Sequence, residues 1–362
     1  MKRILSLVVI AVMAVLIPYG AWQAYQNYLI SPKPLSQEEI QANKQKELEE
    51  AISKAEAGDA EAQYQMGLKY YNGRVNVDVD YKKAFEWYQK AAEQGHVKAQ
   101  NNLGLMYQTG QGTSKDIQKA IYWYEKAVEQ GNIKAHVNLA DIYYEGTSVK
   151  KDYEKAYELY HFASSAGNVN ANYSLGVMFS YGEGVEKDYQ KSLEYFDRAA
   201  EQNSKIAHYA LAVMYENGQG IKRDLPHAGS LYQKAADLGY EDASTYLEDQ
   251  RKLCLEEQAT SSKRDQVNAC LIVAGTKTEP EALRNLVLFY VKGQGVHEDD
   301  VEAYAWGSAY LSLFTKEERM ESDQKKGLII SLMALLSEMD KSTQEEAIKK
   351  AQLYIKNFGQ EQ

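Results

Sequence analysis

The chain is 362 residues long, 44% hydrophobic, and carries a formal net charge of −10. The hydrophobic share allows a large core, whereas the acidity and the lack of a Lys/Arg stripe exclude nucleic acid as a partner, because phosphate binding needs a basic footprint. Tyrosine occurs 29 times against seven phenylalanines and four tryptophans, and 24 glycines accompany only five prolines. That composition suits stacked helices rather than a β-sandwich.

In chain order, the first element is apolar. Lys2 and Arg3 precede an apolar run from Ile4 to Ala21, which at about 1.5 Å per residue nearly spans a ~30 Å hydrocarbon core. Tyr19, Trp22, Tyr25 and Tyr28 follow it as an interfacial aromatic belt would. Residues 1–30 therefore predict an N-terminal transmembrane helix in the inner membrane, with the basic terminus cytoplasmic and the body in the periplasm. The alternative is a cleaved signal segment and a secreted or periplasmic body; Tyr19 is a poor residue three before a cut after Ala21.

Residues 31–58 are polar. Ser36-Gln-Glu-Glu39 is a capping box that opens a helix reaching Gly58, a degenerate leading cap. From there a 36-residue period takes over. It links Gly95, Gly131, Gly167, Asn203 and Gly239, and likewise Leu103, Leu139, Leu175, Leu211 and Leu247. It also links Gly110, Gly146, Gly182 and Gly218, and Asp116, Asp152, Asp188 and Asp224. Each unit reads as two helices. In helix A, Ala99, Leu103, Gly104 and Tyr107 share one face, and Gly110 stops it in the left-handed region. Asp116 then caps helix B, whose apolar face is Ala120, Trp123, Tyr124 and Ala127. One hairpin cannot bury its own stripe, so the units must stack.

Five regular units fill residues 59–239. A divergent sixth occupies 240–278, where Glu248 and Arg251 replace the small residue and the tyrosine. Regularity returns in a seventh unit, 279–315, through Ala282, Leu286, Tyr290, Gly293 and Asp299. Residues 316–362 predict a helical cap whose Lys/Glu-rich surface supplies a polar outer face, with Ser342-Thr-Gln-Glu345 as a capping box for the last helix.

Stretches such as AQNNLGLMYQTGQGTSKDIQKAIYWYEKAVEQG (Ala99 to Gly131) and ANYSLGVMFSYGEGVEKDYQKSLEYFDRAAEQN (Ala171 to Asn203) resemble the Sel-one-like repeat family, relatives of the tetratricopeptide repeats. The resemblance covers about three quarters of the chain. It implies an all-α, right-handed α-solenoid of stacked antiparallel helix pairs that holds other proteins without catalysis. It also implies a concave groove lined by helix A. Carried onto this sequence, the groove candidates are Tyr64, Tyr71, Asn101, Gln108, Asp141, Tyr144, Tyr173, Tyr209 and Glu216. Tyrosine gives contact area at modest entropic cost; the competing role is packing against the adjacent unit.

Few residues suggest chemistry. Cys254 and Cys270, the only cysteines, stand nearly equidistant from a turn around Thr260 to Ser262, and export would permit a disulfide; two separate buried thiols are the alternative. The recurring G-x-G elements follow helices rather than strands, so they read as turns and not as phosphate loops. Ser322-Asp-Gln-Lys325 matches the S-x-x-K of penicillin-recognising enzymes but lacks its S-D-N and K-T-G companions. His136 and His208 are repeat-related and too far apart to share a metal, and Asn172-Tyr-Ser174 falls in a repeat helix rather than a glycosylated loop. The expectation is a non-enzymatic, membrane-anchored scaffold for a protein partner, with no cofactor or metal. An immunity protein against a secreted antibacterial lipase, or an envelope-assembly factor, is a narrower version. A cell-wall-related hydrolase is the contrasting class.

Overall fold

The computed structural model describes residues 36–73, 78–255 and 262–358. The predicted membrane segment, Ile4 to Ala21, lies outside them. Among the described residues every element is an α-helix, and none is long and apolar enough to cross a membrane.

A leading helix α1 (Gln37–Glu56) precedes helix pairs α2 (Ala60–Asn72) with α3 (Tyr81–Glu93), α4 (Val97–Thr109) with α5 (Ile117–Val128), and α6 (Ile133–Glu145) with α7 (Tyr153–Ser165). Then come α8 (Val169–Tyr181) with α9 (Tyr189–Ala200), α10 (Lys205–Asn217) with α11 (Leu225–Asp237), α12 (Glu241–Leu255) with α13 (Lys263–Thr276), and α14 (Pro280–Val291) with α15 (Asp300–Ser312). The chain finishes with α16 (Lys316–Glu321), α17 (Asp323–Glu338) and α18 (Lys341–Phe358). It divides into two compact units, Met1–Trp123 and Tyr124–Gln362, with the division inside α5.

The same local chemistry builds each pair. In the fourth repeat, Asn168 caps α8 by accepting from the Ala171 N–H at 3.0 Å. Gly182, at φ 75°, ends it in the left-handed region that a Cβ disfavours. Asp188 then donates its own N–H to the Phe179 carbonyl at 3.0 Å while its carboxylate caps α9 through the Gln190 and Lys191 N–H groups. This closes the A-to-B turn. The second glycine of the turn has a different reason: a Cβ on Gly184 would stand 2.7 Å from the Tyr153 carbonyl oxygen in the preceding pair. The G-x-G spacing thus combines a helix stop with a close approach between repeats. Asn203 replaces glycine at the end of its repeat with φ 59°, which asparagine tolerates.

In the first unit, Leu48 and Ala55 of α1 pack on Met66 of α2, with Trp87 of α3 partly buried against them. The capping box at Ser36 and Glu39 holds α1 at its start. In the second unit one core runs through Ala140 of α6, Tyr160 and Ala163 of α7, and Leu175 and Met178 of α8. A hairpin's apolar stripe is therefore finished by the next hairpin.

The sixth repeat departs from the pattern in its packing. Its helix α13 lies directly against α11, helix B of the repeat before. Two glycines allow this: a Cβ on Gly229 would meet the Ile272 carbonyl oxygen at 1.9 Å, and one on Gly275 would meet that of Pro226 at 1.8 Å. Gly229 stands where earlier repeats carry Phe85, Ile121, Tyr157 and Leu193. Gly275 is in phase with the repeat-ending glycines, yet it is inside α13, and the left-handed cap falls on Lys277 at φ 60°. Cys254 of α12 and Cys270 of α13 form a disulfide with Cα atoms 4.8 Å apart.

The C-terminal region corrects two expectations. Asp340, not Ser342, starts the last helix: its carboxylate accepts from the Ser342 and Thr343 N–H groups at 2.9 and 3.1 Å. An acid two residues upstream outcompetes the serine because it reaches both N–H groups at once. The outer face of the cap is also not uniformly polar. α17 buries Leu332 against Gly307 but exposes Ile330 and Met333, each about two-thirds accessible. α18 packs on α15 instead, setting Tyr354 and Phe358 over Trp306 at ring distances of 4.3 and 5.1 Å. Lys350 and Tyr354 both reach Glu302, at 2.7 and 2.9 Å.

Candidate functional site

The helix-A candidates fall in both compact units, with Tyr64, Tyr71, Asn101 and Gln108 in the first. In the first, Tyr64 is 9% exposed and its ring stacks on His96 at 4.6 Å. Asn101 is 6% exposed and donates to Asn102. Both are packing residues, which corrects their assignment to a groove surface: neither offers area to a partner. Tyr71 is half-buried and donates its hydroxyl to Gln111 at 2.8 Å, a link to the next repeat. Gln108 is half-buried on α4.

The second unit concentrates tyrosines around carboxylates. Asp141 of α6 accepts from the Tyr160 hydroxyl of α7 at 2.5 Å. Burial pushes the Asp141 carboxyl above the usual range, the Tyr160 hydrogen bond opposes the shift, and the Glu145 charge adds to it. Tyr144 donates to Glu183 at 2.5 Å, and Tyr153 donates to the other oxygen of Glu183 at 3.0 Å. Glu216 of α10 receives Tyr232 at 2.6 Å and Tyr246 at 2.7 Å, one on each oxygen. Tyr209 lies 5.3 Å from the Tyr232 ring and 5.0 Å from Tyr240. Tyr173 sits against Phe196 at 5.6 Å.

Burial, reinforced by the neighbouring carboxylates, holds the Tyr144, Tyr160, Tyr232 and Tyr246 hydroxyls protonated far above neutral pH. The clusters therefore act as fixed donors to fixed acceptors. They supply rigid aromatic faces and negative charge, and they contain no nucleophile paired with a base.

Sequence reasoning missed Glu183 and Tyr181. Glu183 follows the helix-stopping glycine, a turn position with no obvious role until Tyr144 reaches it from the previous repeat. Tyr181 is 74% exposed at the end of α8. The signal was present: the same column carries Thr109, Glu145 and Asn217, so an aromatic there is out of pattern.

Other singled-out residues have structural surroundings. The Ser322 hydroxyl caps α17 by accepting from the Lys325 N–H, while the Lys325 ammonium lies over the Phe314 ring at 3.4 Å, so the two side chains do not form a nucleophile–base pair. His136 is buried with its ring on Phe162 at 4.1 Å, and burial lowers the His208 pKa. Asn172 is buried and accepts from Ser164 at 2.6 Å. A cleft of about 670 Å³ lies beside α18, lined by Tyr215, Arg223, Glu302, Trp306 and Phe358 among others.

Among curated proteins none matches the chain. Among solved structures it is similar to a protective antigen present in uropathogenic Escherichia coli strains that displays an SLR fold, with 21% identity over 86% of this chain and 95% of that one and a TM-score of 0.52. It is similar to a Sel1 repeat protein from Oxalobacter formigenes, with 33% identity over 56% of this chain and 83% of that one and a TM-score of 0.50. An immunity protein from Pseudomonas aeruginosa shares 24% identity over 59% of this chain and 80% of that one, with a TM-score of 0.38. The Sel1 repeat model matches residues 60–96, 97–132, 133–168, 169–204, 205–240 and 280–308, passing over the sixth repeat. With more than half of the chain matched, and with the helix stops, acidic caps and inter-repeat packing described above, the chain belongs to the Sel1 repeat family.

Proposed function

We propose that this protein is a membrane-anchored, exported scaffold that holds a protein partner on the helix-A face of residues 124–362 without covalent chemistry. The coarse part, a protein-interaction scaffold, follows from membership in the Sel1 repeat family. The observation that carries the finer part is a preorganised tyrosine–carboxylate surface: half-buried Tyr144 and Tyr246 are already locked to Glu183 and Glu216, buried Tyr232 braces Glu216 from below, and Tyr181 is exposed at the end of α8. Rigid aromatics lose little entropy on binding and supply most of the energy of protein interfaces. The surrounding acids favour a partner with a basic patch, an attraction that screens with salt.

Two features support export. Lys2, Arg3 and the Ile4–Ala21 run form an anchor with a cytoplasmic terminus, and the Cys254–Cys270 disulfide suits an oxidising compartment. A C-terminal alkaline phosphatase fusion should be active in a bacterial host; an inactive fusion overturns export.

The partner is found by placing a photocrosslinking amino acid at Tyr181 in cells and identifying the adduct by mass spectrometry. Tyr181→Ala should weaken capture by the purified chain by about tenfold or more, as truncating a hot-spot aromatic does, and leave helicity unchanged. Unchanged affinity places the binding face elsewhere. The identity of the adduct separates the two narrower readings, since an antibacterial lipase points to an immunity role and an envelope component to assembly.

A further inference from the structure

α17 is a helix with two different faces. Leu328, Ile329, Leu332 and Leu335 pack towards the core of the C-terminal repeats. The opposite face carries Gly327, Ile330, Met333, Ala334 and Ser337, all exposed, with Ile330 at 68% and Met333 at 67%. These positions repeat at helical spacing and form an uncharged stripe about three turns long. Its serines are spent internally: Ser337 donates to the Ala334 carbonyl at 2.7 Å, and Ser331 beside the stripe donates to that of Gly327 at 3.0 Å. The stripe is therefore less polar than its letters suggest, and no described helix covers it.

The order of residues along the stripe points to what does. Along the stripe, positions equally far from Leu332 never pair two large residues or two like charges. Ile330 corresponds to Ala334, Met333 to Ser331, Gly327 to Ser337, and Lys326 to Glu338. A second α17 laid antiparallel across the first, with its two-fold axis at the level of Leu332, would seat each Ile330 over the other copy's Ala334. Both ends would close with a Lys326–Glu338 pair. Gly327 and Ala334 permit the close axial approach of packed helices, and antiparallel macrodipoles attract. A chain of net charge −10 repels its own copies, so self-association needs a locally neutral surface; here Lys326, ion-paired to Asp323 of its own helix at 3.4 Å in the single chain, would exchange that partner for Glu338 of the second copy. The interface would be isologous, the arrangement that closes a dimer.

We propose that α17 is the homodimerisation element of this protein, and that the partner on this face is a second copy of the same helix. One helix pair lies at the small end of stable interfaces, so the dimer is a weak one that the membrane concentration of anchored chains would promote.

The test uses the full-length chain in cells. Its native cysteines are bonded to each other, so Ala334→Cys supplies a single free thiol close to the two-fold axis. A short bismaleimide should give a band of doubled mass, which Glu158→Cys on α7 should not. Adding Ile330→Glu or Lys326→Glu should reduce the doubled band by about tenfold, the second by creating two like-charge contacts. Combining Lys326→Glu with Glu338→Lys should restore it, which no general loss of folding would do. Absence of the doubled band, or a band indifferent to Ile330→Glu, overturns the proposal. So does a chain that stays monomeric while Ile330→Glu abolishes its binding to phosphatidylcholine vesicles, because a lipid surface would then be the occupant.

Discussion

Asp141 shows how a single residue in this fold is read from its surroundings. As a sequence position it is an acid on helix A, an inviting binding residue. In the structure its carboxylate is mostly covered and answers Tyr160. Removing the hydroxyl by Tyr160→Phe leaves the acid buried without its donor and should cost about 1–3 kcal/mol, read by urea denaturation at pH 7. The pH dependence has a defined sign. Burial raises the folded pKa of Asp141 above its unfolded value, so its favourable contribution is complete below the unfolded pKa and is lost as pH rises through the folded one. Asp141→Asn keeps an acceptor for Tyr160 and removes the charge. It should therefore gain stability relative to the parent between pH 4 and pH 7, and a loss over that window would contradict the burial of the carboxylate. Tyr64 makes the complementary point. It occupies the same repeat position as Tyr173 and Tyr209, yet His96 covers its ring, whereas the other two remain half-exposed.

At the scale of elements, the fifth-to-sixth repeat junction is the most constrained. Gly229 and Gly275 let α11 and α13 touch backbone to backbone, and neither has room for a methyl group. Gly229→Ala or Gly275→Ala should cost at least the ~1–3 kcal/mol of ordinary overpacking, because the obstacle is a carbonyl oxygen rather than a flexible side chain. Gly95→Ala is a useful contrast: its Cβ would meet nothing within 4 Å, so only the left-handed backbone, φ 86°, is penalised. The disulfide ties the same repeat. Its partners are 16 positions apart, and closing a loop of that length is worth about 3 kcal/mol in the chain-entropy model. A Cys254→Ser/Cys270→Ser protein should unfold at lower denaturant by that amount, and reductant should have the same effect on the parent and none on the double variant.

For the whole molecule, the proposed anchor and the two compact units bear on the function. If residues 4–21 hold the chain in a membrane, alkaline carbonate extraction should leave it in the pellet. A chain starting at residue 36 should not be exported at all; its appearance in the periplasm would remove the anchor from the account. Within residues 124–362, the tyrosine–carboxylate clusters recur from one repeat to the next, so partner affinity should fall with salt and should not depend on any one hydroxyl. Tyr144→Phe is therefore expected to weaken capture much less than Tyr181→Ala, with affinity measured at two ionic strengths.

The repeat itself was legible because it is written in local chemistry. Glycine at a helix stop, acid at a helix start and a small residue at a crossing are each demanded by backbone geometry within a few residues, and periodicity multiplies the signal. The capping box at Ser36 and the divergence near Glu248 were readable for the same reason. What the letters could not decide depends on which surfaces meet. Burial of Tyr64 and Asn101, the Tyr144–Glu183 link between repeats, and the glycine contact of α11 with α13 all join residues that local pattern leaves independent. The capping contest at Asp340 and Ser342 was decided by which group reaches two N–H donors. Helical periodicity marks α17 as apolar on more than one side, but only packing shows that Leu332 turns inward and Ile330 is left outside. Sequence determines where helices begin and end through short-range hydrogen bonds; tertiary contact decides which faces remain for a partner, because exposure is a property of the stack and not of the helix.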